Sequence, residues 1–282
     1  MEYALQMKDV TKRYDGFVLD NMDITLPNGC IMGLIGENGA GKSTTIKLIL
    51  DLIRRDGGTI TVLGRDNKKD PKSLKENMGV VMDESCFPEN LAVRDVNTIM
   101  KNIYRTWDEH VFRSYAGRFS LPDGKTVREY SRGMKMKLAI AVALSHDSRL
   151  LILDEATSGL DPVVRDEILD VFLDFIQDER HSIFMSSHIL SDLEKICDYI
   201  TFIHRGKLVF SQAKDDLIES YGLLKCSPSE FQAIDKTAVK GYRKSDFGVE
   251  ALVLRSRVSG KYVVDRASIE DIMLYHIKEK AL

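Results

Sequence analysis

No stretch of the chain approaches the roughly 20 consecutive apolar residues that a bilayer-spanning helix needs; the longest notable run, Leu138–Leu144, has the length of a core helix segment. The first residues carry no basic-then-apolar leader pattern. The chain itself is therefore expected not to cross a membrane, which leaves it free to sit on one through a partner. Cysteine is scarce. Cys30, Cys86, Cys197 and Cys226 stand far apart, with no C-x-x-C pair and no histidine at metal-ligand spacing. That reads as reduced thiols in a cytosolic protein rather than a disulfide framework or a zinc site. An excess of either charge is also missing: 40 Lys and Arg stand against 43 Asp and Glu, a net charge of -3. Such a balance argues against a protein whose main task is to grip nucleic acid. There is no internal repeat and no low-complexity segment. What is present is 282 residues with 44% hydrophobic content, enough for one large domain, with or without a smaller companion, and a sizeable core.

The first third reads as strand-rich. Leu19–Leu26 alternates apolar and polar residues, Pro27-Asn28-Gly29 makes a turn, and Cys30–Ile35 is a short buried-strand run that meets glycines. From Lys42 an apolar face through Ile46, Leu48, Ile49, Leu50 and Leu52 predicts a helix ended by Gly57-Gly58, and Thr59–Leu63 returns to strand character. From about 84 to 148 strand signals thin out, and Leu91, Val93, Val96, Ile99, Met100, Ile103 and Tyr104 recur at helical spacing. Strand and helix then alternate again. Leu150–Leu153 and Ile183–Met185 read as buried strands, and between them Asp161 caps a helix that carries Pro162 at its first position. Tyr199–Ile203 and Lys207–Phe210 read as strands joined at His204–Gly206. After about residue 213 the rhythm is lost; Gly248–Arg257 and Lys261–Val264 suggest strands and Ser268–Lys280 a closing helix.

Four motifs carry chemistry. Gly36-Glu37-Asn38-Gly39-Ala40-Gly41-Lys42-Ser43, followed by Thr44, fits G-x-x-x-x-G-K-[ST] between a strand and a helix. Glycines let successive N–H groups turn toward phosphate oxygens, and the helix behind presents its positive end to the same anion. Lys42 supplies a charge for the outer phosphates and Ser43 a hydroxyl for Mg²⁺. The strand Leu150–Leu153 ends in Asp154 and Glu155, which would place one carboxylate by Mg²⁺ and the next where it can orient or deprotonate an attacking water. Alone, such acids would read as solvated loop carboxylates. Ser131-x-Gly133 opens a helical stretch and is either a second anion site or a plain N-cap. His188 follows a strand tip, where doubly wound sheets bind ligands, although a lone histidine is more often structural.

In this order the motifs resemble the nucleotide-binding subunit of an ATP-binding-cassette (ABC) transporter, over about residues 1–212. The resemblance implies an α/β fold: a P-loop NTPase cassette with an antiparallel β subdomain, an α-helical insert at about 84–148, and a small α+β C-terminal extension over 213–282. It implies ATP and Mg²⁺ as cofactors, with Tyr14 stacked on adenine and residues 36–44 holding phosphates. Glu155 and His188 become catalytic, and Ser43 and Asp154 metal-binding. Ser158-Gly159-Leu160-Asp161 becomes the D-loop. Two copies, identical or not, are implied to pair head to tail, so that Ser131, Arg132, Gly133 and Met134 of one reach the ATP of the other.

Three departures stand out against the family pattern. Aligning Met78–Met82 puts Asp83 where glutamine is usual, and Asp83 becomes a further metal ligand candidate. Arg132 and Met134 replace a glycine and a glutamine of the signature. Ala156 replaces a common proline. The variant signature is similar to that of separate-chain exporters of the bacitracin-resistance type, which implies a membrane permease as partner, no nucleic acid, and a place on the cytoplasmic face of the membrane. Phe87, Pro88 and Leu91 are candidates for docking that permease, or pack within the insert. An importer ATPase, or a soluble ATPase acting on ribosomes or DNA, remains the alternative.

Overall fold

The computed structural model describes residues 2–69, 71–83, 87–258 and 261–277. The chain divides into two compact units, Met1–Ser211 and Gln212–Leu282. The strands of the first are β1 (Tyr3–Tyr14), β2 (Phe17–Pro27), β3 (Ile31–Ile35), β4 (Gly57–Val62), β5 (Arg65–Asp66), β6 (Met78–Val81), β7 (Leu150–Asp154), β8 (Ser182–Ser186), β9 (Tyr199–His204) and β10 (Lys207–Ala213), the last running across the boundary. Its helices are α1 (Lys42–Ile49), α2 (Pro71–Glu76), α3 (Val93–Ile103), α4 (Glu109–Arg118), α5 (Arg132–Ala143), α6 (Pro162–Phe175) and α7 (Leu190–Ile196).

These strands form one sheet in the order β5-β4-β1-β2-β10-β9-β3-β8-β7-β6. One end is antiparallel: β1 pairs with β2 and β4, and β4 with β5. The other is parallel, with β3 against β8 and β9, and β7 against β6 and β8. Every residue of β3, β7 and β8 is buried, which is why they read as unbroken apolar runs rather than alternations. Leu5, Met7, Leu19 and Ile24 of the antiparallel end share a core with Met32 and Leu34 of β3, Ile46 and Ile49 of α1, and Leu150 and Ile152 of β7. The parallel neighbours β6 and β7 are separated in sequence by the insert. There α3, α4 and α5 pack together, and Phe112 of α4 is 1% exposed.

Several expected boundaries shift. Helix α1 stops at Ile49, not beyond Leu52: Asp51 takes a left-handed φ of 52° that ends the helical run, and Leu52 is exposed. The apolar face expected for α3 is only half used, since Val93 and Val96 are buried while Ile99 and Ile103 are exposed. In the second unit the strand expected over Gly248–Arg257 ends at Leu254 and closes in a 3-10 turn, and the strand expected at Lys261–Val264 lies instead at Val264–Arg266.

That unit comprises α8 (Lys214–Ser220), β11 (Tyr221–Cys226), α9 (Pro228–Ala233), β12 (Val239–Ser245), β13 (Gly248–Leu254), β14 (Val264–Arg266) and α10 (Ile269–Ile277). Its antiparallel sheet has the order β12-β13-β11-β14 and its own core of Leu224, Phe231, Val239, Ala251 and Val253. Residues 278–280 of the expected closing helix, and Cys86, lie outside the described residues. Among the described residues, Cys30, Cys197 and Cys226 form no disulfide with one another.

Candidate active site

Between β3 and α1 the chain must reverse within a few residues, and the glycines make that possible. A Cβ at Gly36 would sit 2.5 Å from the carbonyl oxygen of Ile203, a backbone atom that cannot swing away. Gly41, at φ +114°, caps α1 and lies against Leu19 and Phe17. The loop is further pinned where the Ala40 N–H donates to Glu37 O and the Gly206 N–H to Ala40 O, both at 3.0 Å. Helix α1 then starts at Lys42 with no acidic residue in its first turn, so its free N–H groups present an uncompensated positive end.

Lys42 is 7% exposed. Its Nζ donates to Gly36 O at 2.9 Å and lies 3.7 Å from Oε1 of Glu155. Glu155 follows the tip of β7 with a left-handed φ of 52°. Its backbone N–H is held by Ser186, at 3.2 Å from the carbonyl and 3.1 Å from Oγ. The same Ser186 Oγ donates to Oδ1 of Asp154 at 2.6 Å, fixing that buried carboxylate. His188, beyond the tip of β8, brings Nδ1 to 2.5 Å from Glu155 Oε2, and its backbone N–H points to the same oxygen at 3.3 Å. Glu155 thus lies between an ammonium and an imidazole.

These residues surround a cavity of 580 Å³. Of the residues singled out from sequence, Tyr14, Glu37, Asn38, Gly39, Gly41, Lys42, Ser43, Thr44, Asp83, Glu155, Ser158 and His188 line it. Gly36 and Ala40 shape the loop behind, and Asp154 stands at the adjoining strand tip. Phe17 lines the cavity too and was not anticipated. The signal was there: Tyr14 and Phe17 flank the turn at Gly16 and pair across the hairpin, so an aromatic on one side implies a second beside it. Tyr14 is 45% exposed, with Lys12 Nζ 5.3 Å from its ring centre.

The signature residues do not line this cavity. Ser131 caps α5, accepting from the Met134 N–H at 3.2 Å, and Arg132 pairs with Asp83 at 2.7 Å. A Cβ added at Gly133 would find its nearest neighbours, Val164 and Leu160, at ordinary contact distances. Asp161 caps α6, accepting from the Val163 and Val164 N–H groups at 3.1 and 3.0 Å. Nearby in α7, burial pushes the Asp192 carboxyl above its usual range, against the pull of Thr157 and Arg165.

A buried strand, a glycine loop wrapped ahead of a helix start, a lysine at that start and paired acids on the next strand but one form an arrangement that can hold a phosphate beside a carboxylate able to accept a proton. Residues 19–158 match the ABC transporter family. Over 218 residues the chain is 32% identical to the ABC transporter ATP-binding protein YtrB of Bacillus subtilis, covering 77% of this chain and 74% of that one. Over 212 residues it is 35% identical to the bacitracin transport ATP-binding protein BcrA of Bacillus licheniformis, covering 74% and 69%. A solved structure described as the ATP binding subunit of an ABC transporter superposes with a TM-score of 0.67 at 27% identity, over 76% of this chain and 91% of that one. With its cavity built on the glycine loop and the Asp154–Glu155 strand tip, the chain belongs to the ABC transporter ATP-binding family, and is a nucleotide-binding ATPase.

Proposed function

We propose that this ATPase drives a separate membrane permease in the export direction, working as a pair of copies on the cytoplasmic face of the membrane. The observation that carries the pairing is the start of α5. It combines a Ser131 cap, no acidic residue in the first turn and a glycine at 133, yet it lies off the cavity of its own chain. A helix start of that kind suits an anion supplied by another copy. Gly133 fits the same reading, because neither its φ nor its neighbours within the chain require a glycine.

In each site Tyr14 would stack on the base, the 36–44 loop and Lys42 would hold phosphates, and Glu155 would take a proton from the attacking water while His188 fixes its carboxylate. Ser158 and Asp161 would lie at the seam between copies. The donors offered by Ser43 and by Asp154, with its carboxylate already fixed by Ser186, are hard oxygens, a set that fits Mg²⁺. That ion, bound with the nucleotide, would neutralise charge developing on the phosphoryl group.

Export is supported by the likeness to BcrA, a bacitracin transport protein by name, and by the variant signature around Arg132. Among the described residues no helix is long and apolar enough to cross a membrane, so a permease would have to be supplied by another chain. Phe87 and Leu91, both half-buried, are the proposed contacts. The test is purification of the chain from detergent-solubilised membranes. A multi-spanning membrane protein should come with it in fixed ratio and be lost from Phe87→Glu and Leu91→Glu variants that still bind ATP. Co-purification of ribosomal proteins in its place would refute the reading.

A further inference from the structure

Two residues that depart from the usual family pattern, Asp83 and Arg132, touch each other. Nη2 of Arg132 donates to Oδ1 of Asp83 at 2.7 Å across 49 positions of sequence. Asp83 lines the nucleotide cavity and Arg132 does not. The same guanidinium rests on the loop after β7, where an added Cβ at Gly159 would lie 2.7 Å from Nη1. One arginine therefore joins the end of β6, the start of α5 and the loop at Gly159 within a single chain.

Electrostatics makes this placement consequential. Arg132 is the first residue of α5, where a cation opposes the helix dipole, and the first turn contains no acid to offset it. Asp83 puts a carboxylate on the wall of a cavity that receives a polyphosphate, where a bare negative charge repels the ligand. Each charge is unfavourable alone, and the pair cancels both.

We propose that Arg132 acts in cis as the counter-ion of Asp83, a positioning residue that keeps this carboxylate from opposing nucleotide in the cavity of its own chain. The side chains are 52% and 49% exposed, so water screens the interaction and its effect on affinity is modest, about 2–5-fold. The inference rests on nucleotide occupying the Lys42 cavity, and Lys42→Ala serves as the control for that.

The experiment is equilibrium titration of ATP into the purified full chain, in low salt with EDTA. Arg132→Gln should weaken binding about 2–5-fold, Arg132→Lys should recover most of the loss, and in an Asp83→Asn background Arg132→Gln should change nothing. Raising the salt should shrink the difference between wild type and Arg132→Gln. Unaltered affinity in Arg132→Gln, or an equal loss in both backgrounds, overturns the proposal and leaves Arg132 with a role outside its own cavity. If Lys42→Ala bound ATP as wild type does, the cavity assignment itself would fail, a result distinct from either.

Discussion

Glu155 is held in a conformation that non-glycine residues rarely adopt, and two hydrogen bonds from its backbone N–H to Ser186 keep it there. Left-handed backbone of this kind costs about 1–3 kcal/mol and persists only where the surroundings enforce it. The result is that Asp154 and Glu155, adjacent in sequence, have different surroundings. Asp154 is buried and tied to Ser186, while Glu155 lines the cavity between Lys42 and His188. Glu155→Gln keeps the shape of the side chain and removes its basicity. It should leave ATP binding intact and lower single-turnover phosphate release by about 10²–10⁴-fold, the range expected for loss of a positioned general base. Release at the wild-type rate would remove Glu155 from that role and return it to being a partner of Lys42.

At the scale of elements, two motif glycines, one in a loop and one in a helix, answer different demands. Gly36, in the loop before α1, is required by the chain itself, since Ile203 O leaves no room for a Cβ. Gly36→Ala should lower stability by about 1–3 kcal/mol, as overpacking against backbone does, seen as an earlier thermal unfolding midpoint. Gly133, in the first turn of α5, has room: Val164 at 3.5 Å is ordinary contact. Gly133→Ala should change stability by no more than about 0.5 kcal/mol. If a second copy approaches there, it should nevertheless reduce turnover by up to about 10²-fold, the scale of a small misplacement in a catalytic assembly. Full turnover in Gly133→Ala would count against that approach. Elements also set what the sequence disclosed. The strands β3 and β7 were legible because burial on both faces leaves apolar runs that end at glycine or acid, and β8 because Ile183–Met185 is a short apolar run between serines. Strand β1 gave no periodic signal, because Asp9 takes a φ of 51° and the register against β2 shifts between Met7 and Val10, breaking the alternation. In the second unit β11 and β12 were missed, since glycines and lysines interrupt their apolar positions. The glycine loop and the acidic strand tip were readable from spacing; the Asp83–Arg132 pair was not, because an ion pair across 49 residues leaves no local pattern.

For the whole molecule, the question is how many chains make one site. The cavity walls include Lys42, Ser43, Glu155 and His188 but none of Ser131, Gly133 or Met134. If two copies face each other head to tail, Ser131 serves the ATP held by the other copy, and Glu155 serves the ATP held by its own. Defects in the two residues then fall on the same site or on different sites according to how the chains are combined. A pair made of one Ser131→Ala chain and one Glu155→Gln chain has one site carrying both defects and one site carrying neither. Mixing the purified variants, each nearly inactive alone, should therefore yield ATPase activity above the mean of the two parents. Activity should rise as subunits exchange and reach its highest value near equal proportions. A single chain carrying both substitutions supplies the contrast, since it cannot be rescued by another copy of itself. If instead each chain completes its own site, every chain in the mixture carries a defect, and activity stays at the mean of the parents at every ratio.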